Sequence, residues 1–197
     1  QRLSGRVGRV IVNAAAPLLE FCDAFASRAM DVSTIHVDPL DAARIAEELP
    51  RFVDRRVLRP KYEDGTLPWL LHAAADKKSS GALSGGIVRA ANGDVAGWFI
   101  GYFASGATGR VLQVTSRPDA RGLVLRALFA HAWQRSATAV SGRLDPAWRD
   151  ELGAQSCSFW RDEPWFLVHS RNPALTTQLV NSSPFVSRLE GEYWLSF

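Results

Sequence analysis

Cysteine, methionine and lysine are scarce in this chain of 197 residues, and long apolar runs are missing. The two cysteines, Cys22 and Cys157, stand far apart with no Cys-x-x-Cys pair and no neighbouring histidine cluster. That excludes a disulfide framework and a zinc site of the usual spacing. Both are expected to be buried thiols in a reducing compartment, and no metal is expected. No stretch reaches the roughly 18 to 20 apolar residues that span a bilayer. The N-terminus also lacks the basic, apolar and small-residue order of a secretory signal. A cytoplasmic protein without a membrane partner is expected. The only methionine is Met30 while the chain begins at Gln1, so the sequence reads as a piece whose natural start lies upstream. It carries no internal repeat or low-complexity tract.

What is present points to a globular domain. At 47% hydrophobic residues the chain can bury a sizeable core, and its length suits one domain or one domain with an appendage. The net charge is +3, and of 23 basic residues only Lys61, Lys77 and Lys78 are lysine. Arginine favours bidentate contact with carboxylate and phosphate. Here the arginines are spread along the chain and interrupted by acids, unlike the stripe that tracks a nucleic-acid backbone. No nucleic-acid partner is expected.

The pattern of apolar and turn residues sets out an α/β order. Residues 5 to 13 alternate as a strand and 14 to 30 carry a helical stripe through Leu18, Leu19, Phe21, Cys22 and Phe25. This opening, residues 1 to 30, is read as an extension or the tail of a preceding domain. Ser33 to Val37 reads as a strand, and Asp38-Pro39 opens a helix to about Leu49. A second helix is expected from Thr66 to Lys77. Gly86 to Ala91 and Val95 to Phe103 flank Asn92-Gly93-Asp94, a hairpin signal. A third strand runs from Gly109 to Thr115, a helix from 120 to 135, and a strand from Thr138 to Arg143. Asp145-Pro146 opens a helix to about Ala154; an extended segment from Ser158 to His169, a helix after Asn172-Pro173 and a strand from Phe185 to Phe197 complete the order.

The richest segment is Val111 to Trp133, where a buried-looking strand passes through Arg121-Gly122 into a helix striped by Leu125, Leu128, Phe129, Ala132 and Trp133. The first turn of a helix leaves N–H groups without intrahelical partners and carries partial positive charge, so an anion is stabilised there. Ligands of open α/β sheets gather at such junctions.

From Ser33 to Phe197 the element order resembles that of the GNAT superfamily of N-acetyltransferases. The segment Val114 to Gly122 resembles the family's acetyl-CoA motif. The resemblance implies an α/β fold with a mixed, mostly antiparallel central sheet flanked by helices, over residues 31 to 197. It implies acetyl-CoA as co-substrate and an amine-bearing acceptor, with a homodimer or an upstream domain as further partners. The family's fourth strand carries a bulge, and its backbone pairs with the pantetheine arm. Carried over, Leu112, Gln113, Val114 and Thr115 line that arm, and Arg121, Gly122, Leu123, Val124 and Leu125 face the pyrophosphate. The oxyanion donor falls near the Val114 N–H. Val124 and Arg126 stand where the family usually has its second and third glycines. That departure supports the alternative, a catalytically inactive GNAT-like binding or structural module. A third reading is a protein that holds an anionic ligand with its arginines.

Acetyl transfer from a thioester needs a neutral amine, a donor for the developing oxyanion and often a proton source for the thiolate. Glu190 and Glu192 alternate on one face of the expected last strand and offer carboxylates to an amine, against a plainer pairing with Arg188. Tyr102 ends the strand before the motif and is a candidate acid, with a core aromatic as its plainer role. His169 suits proton transfer near neutral pH, with a hydrogen-bonded structural histidine as its alternative. His131 and Cys157 are set aside. Most of the seven tryptophans are expected in the core, with one or two free to line an acceptor pocket.

Overall fold

The structure, a computed structural model, describes residues 35–53, 56, 58–77, 81–159, 169–181 and 184–190. The strand and helix expected within residues 5 to 30 lie outside it, as do most of the extended segment after Ser158 and the chain beyond Glu190. The described residues, all from Ile35 onward, belong to one compact unit.

The described strands are β1 (His36–Pro39), β2 (Ala82–Arg89), β3 (Val95–Phe103), β4 (Thr108–Ser116) and β5 (Ala139–Ser141). They make one sheet in chain order: β1 to β4 are antiparallel neighbours, and β5 joins β4 in parallel. The helices are α1 (Ala42–Val53), α2 (Thr66–Ala75), α3 (Arg121–Gln134), α4 (Arg149–Ala154) and α5 (Pro173–Asn181). The fold is the α/β architecture expected, a mixed and mostly antiparallel sheet between helices.

Burial follows from strand alternation. All nine residues of β3 are buried because both faces of the sheet are covered. Trp98, Ile100 and Tyr102 face a core shared with Ile45, Leu49 and Val53 of α1 and Leu67 of α2. Phe99 and Phe103 face Val124, Leu125 and Leu128 of α3 on the other side. Gly97 permits that second layer to come close: a Cβ there would lie 2.2 Å from the Thr115 carbonyl oxygen and 2.9 Å from a Val124 methyl.

Several boundaries moved for physical reasons. The helix expected from Asp38 starts at Ala42, because Asp41 is the residue whose Oδ1 accepts from the N–H groups of Ala43 and Arg44, at 2.9 and 3.2 Å. Asp38 and Pro39 belong to β1, where the Asp38 carboxylate takes the Arg89 Nε–H at 2.6 Å; that bond, ahead of all else, holds its pKa below the ordinary aspartate range. β2 begins at Ala82, four residues before the expected Gly86, since the nine-residue β3 offers a partner as far as Phe103. Trp133, counted in the buried stripe of α3, is 48% exposed; Val124, Ala127 and Ala130 take the inward face instead. Of the tryptophans described, Trp98 and Trp148 are buried and Trp69 and Trp133 exposed. The terminal strand expected from Phe185 does not form over the described residues: 184–187 are irregular and Arg188 to Glu190 make a turn.

His131 ties α3 to β2. Its Nε2 lies 3.0 Å from the Ser84 hydroxyl, and its ring meets Phe99 and Phe103 edge-on at 5.1 and 5.2 Å. Burial first, and the Arg135 charge second, push its pKa down to about 4 from 6.5. The folded state therefore binds fewer protons than the unfolded chain between these values, and stability is whole above pH 6.5 and falls as pH drops toward 4. The span corresponds to at most about 3 kcal/mol, less for the part of the ring that water reaches. Urea denaturation at pH 7.5 and 4.5 is expected to show the loss, and His131→Leu is expected to flatten it while the Arg135 Nε–H continues to serve the Ser84 oxygen, at 3.0 Å.

Candidate functional site

β4 is the strand on which the site is built. Its pairing with β5 covers only Thr108 to Arg110 against Ala139 to Ser141, whereas β4 itself continues to Ser116. From Val111 onward the edge away from β3 has no strand beside it among the described residues. Among the described residues a gap in the strand pairing therefore opens between β4 and the chain leaving β5.

At the head of that gap β4 is bulged. On β3, Ile100 faces Gln113 and Gly101 faces Val111, so Leu112 has no partner across the ladder. Leu112 packs in the α1/α2 core and the Gln113 side chain bonds Trp98 on that same side. Two consecutive residues thus share one face, which a regular strand forbids and a bulge imposes. Gly101 makes room for it: a Cβ there would sit 2.7 Å from the Arg110 carbonyl oxygen. The architecture is GNAT-like. Antiparallel β1 to β4, a parallel β5 reached across α3, and a bulge where β4 and β5 part all fit that description.

The Leu112 carbonyl points into the gap, where it accepts the Arg188 N–H at 2.8 Å. Backbone groups alternate along a strand, so the Val114 N–H is directed to the same open side. The gap leads to the start of α3. The helical turn there begins earlier than Arg121: a 3-10 turn over Pro118–Ala120 runs straight into α3, and Arg117, still extended, links it to the end of β4 at Ser116. Gly122 is partly exposed, and a side chain on it would meet only the Arg126 guanidinium, at 3.6 Å. Val124 is 0% exposed and packed against the sheet, and Leu125 is buried too. The Val124 side chain therefore points to the sheet and leaves the first turn of α3 clear. Arg121 is engaged by Glu151 of α4, at 3.3 Å.

Behind the bulge lies a connected polar cluster. The Trp98 indole N–H donates to Gln113 Oε1 at 2.7 Å, and Gln113 Nε2 donates to Glu190 Oε1 at 2.6 Å. The Tyr62 hydroxyl also donates to Glu190 Oε1. The other oxygen, Oε2, accepts from the Ser187 N–H at 2.8 Å and the Ser187 hydroxyl at 2.5 Å. Burial, then the Glu190 charge, pushes the Tyr62 phenol far above its ordinary pKa, so it stays a neutral donor. Gln113 is 1% exposed.

The three catalytic candidates are not brought together. Glu190 sits beside the bulge but in a turn, not on a strand, and each of its oxygens already has two donors. Tyr102 is 1% exposed and its hydroxyl donates to the Ala74 carbonyl of α2 at 2.8 Å, a link between sheet and helix. His169 is exposed in the segment before α5 and shares no described bond with either. Glu192 lies outside the described residues. Tyr62, Trp98 and Ser187 join the site without having been singled out. A polar Gln113 inside the apolar run Val111 to Val114 was the available signal, because a buried amide must find partners. Among the described residues no group of three or more His, Cys, Asp or Glu could hold a metal, and no helix is long and apolar enough to cross a membrane.

No family model matches the sequence, and no curated protein matches it. Solved structures with a similar course include an integron cassette protein from the mobile metagenome of V. cholerae, 12% identical, with a TM-score of 0.46, covering 76% of this chain and 99% of that one. A GCN5-related glucosamine N-acetyltransferase region in a fungal multi-domain GH3 beta-N-acetylglucosaminidase is 9% identical, with a TM-score of 0.41, covering 62% of this chain and 16% of that one. A presumed acetyl transferase from Pyrococcus furiosus is 14% identical, with a TM-score of 0.40, covering 66% and 99%.

Proposed function

We propose that this domain is an N-acetyltransferase that takes acetyl-CoA into the gap beside β4 and passes the acetyl group to an amine. The observation that carries the reading is the bulge at Leu112, set where β4 loses β5. Leu112 to Thr115 would hold the pantetheine arm along the free edge, and the first turn of α3, with Gly122 open and Val124 turned inward, would receive the pyrophosphate. Bound acetyl-CoA supplies an activated thioester carbonyl. The Val114 N–H would stabilise the negative charge that builds on that oxygen. Glu190 and Tyr102 are held in other hydrogen bonds and His169 shares none with either, so the amine is expected to arrive neutral and to attack directly. Turnover then lacks the roughly 10²- to 10⁴-fold that a placed base contributes. A cytoplasmic setting suits Cys157, a free thiol whose pKa burial raises.

Titration calorimetry with acetyl-CoA and with CoA tests this. Saturable binding is expected for the natural sequence, and loss of at least tenfold in affinity for Arg121→Ala combined with Gly122→Trp, whose indole would cover the first turn without entering the core. No binding at millimolar ligand by a folded protein would overturn the reading. The second reading, a module that binds without transferring, is favoured by the full commitment of Glu190 and Tyr102. Binding with no acetyl transfer to a panel of amines would establish it.

A further inference from the structure

Resting on the acetyl-CoA reading above, we infer that the turn Phe185 to Glu190 is a strap that closes the inner end of the gap and restricts the acyl group to two or three carbons, with Arg188 and Leu189 as the specificity-determining residues.

The strap is fixed at four places. The Phe185 N–H donates to the Leu58 carbonyl at 2.8 Å, Arg143 beyond β5 donates to the Val186 carbonyl, and the Arg188 N–H takes the Leu112 carbonyl at 2.8 Å. Glu190 is clasped by Gln113 and Tyr62. Since β3 fills the other edge of β4, the Arg188 bond places the strap in the gap itself. Leu189 is 0% exposed and packs with Trp98, Ile100 and Leu112. A segment with a fully buried leucine and a carboxylate holding four donors is part of the wall; no acyl tail displaces it.

The room left is short. The free edge runs from Ser116 at the open end to Leu112 at the strap, and the Val114 N–H is two residues from that stop. Two residues of strand measure about 6.6 Å, and van der Waals contact with the strap takes about 3.5 Å of it. An extended chain advances about 1.3 Å per bond, from a Cα–Cα step of 3.8 Å over three bonds. Beyond a carbonyl held at Val114 there is space for one or two further carbons.

The experiment is calorimetry of CoA, acetyl-CoA, butyryl-CoA and octanoyl-CoA with the natural sequence and with Leu189→Ala, whose folding is checked by circular dichroism. The natural sequence is expected to bind CoA and acetyl-CoA alike and octanoyl-CoA at least tenfold more weakly, and Leu189→Ala to recover most of that difference. Should Leu189→Ala fail to fold, the chain-length series on the natural sequence decides alone. Equal affinity for acetyl-CoA and octanoyl-CoA would overturn the strap's role while leaving the acetyl-CoA reading intact. Failure to bind CoA itself overturns both.

Discussion

Gly97→Val is expected to prevent folding. A Cβ at this position would stand 2.2 Å from the Thr115 carbonyl oxygen and 2.7 Å from the Ser116 Cα, both backbone atoms of β4, and 2.9 Å from the Val124 methyl of α3. No rotamer relieves a clash made by the Cβ itself, so β3, β4 and α3 must separate at the point where they define the gap. The loss should exceed about 4 kcal/mol, the range reserved for gross overpacking or broken backbone pairing. Gly93 is the contrasting position. It turns the β2–β3 hairpin at φ +85° with nothing within 4 Å of a Cβ, so Gly93→Ala should cost only the left-handed strain of about 1 to 2 kcal/mol. Urea denaturation followed by tryptophan fluorescence separates the two, with near-ultraviolet dichroism reporting whether the valine variant has a packed core at all.

Gln113→Leu is expected to cost about 1 to 3 kcal/mol although leucine fits the volume. The amide joins the Trp98 indole N–H to a carboxylate oxygen that Tyr62 also serves. Removing it leaves the Trp98 indole N–H without its acceptor at 2.7 Å and takes from Glu190 Oε1 one of its two donors, the one at 2.6 Å. Buried polar groups left unmatched lose their full hydration without return. If the damage lies in the stranded carboxylate, Glu190→Leu placed on top should add much less than it costs alone, a coupling of about 1 to 3 kcal/mol in a double-mutant cycle. Full additivity would show that the two groups do not act as one network.

The fold was far more legible than the site. β3 could be read with both ends correct because a nine-residue apolar run followed a hairpin signal, and the helix bounds near Thr66 and Pro173 followed from turn chemistry. The junction between β4 and α3 was legible too, though its helical turn starts at Pro118, since a proline compatible with a first turn looks the same in a loop. The bulge could not be read: Val111-Leu112-Gln113-Val114 suits a regular strand, and only the opposing register of Ile100 and Gly101 shows the skipped residue. Glu190 was singled out for a chemical role from its place in a presumed strand, yet its partners Tyr62 and Gln113 lie 128 and 77 residues away. Such pairings leave no local trace. Periodicity reports which face is buried, not which distant chain covers it.

The chain order of β1 to β4 has a consequence for how the molecule is made. β2, β3 and β4 follow one another across short turns, so this part of the sheet can assemble by short-range hairpin closure, the fast class of event in folding, while β1 joins β2 from across α1 and α2. The turn that crosses Leu112 comes from the far end of the chain and can arrive only after this assembly. A chain emerging from the ribosome would therefore display a nearly finished sheet with Trp98 and Gln113 still open to water, and the closing contacts with Arg188 and Glu190 would be the last to form. Premature termination upstream of Phe185 would freeze the molecule in that half-sealed condition, with an apolar surface exposed and a greater tendency to aggregate.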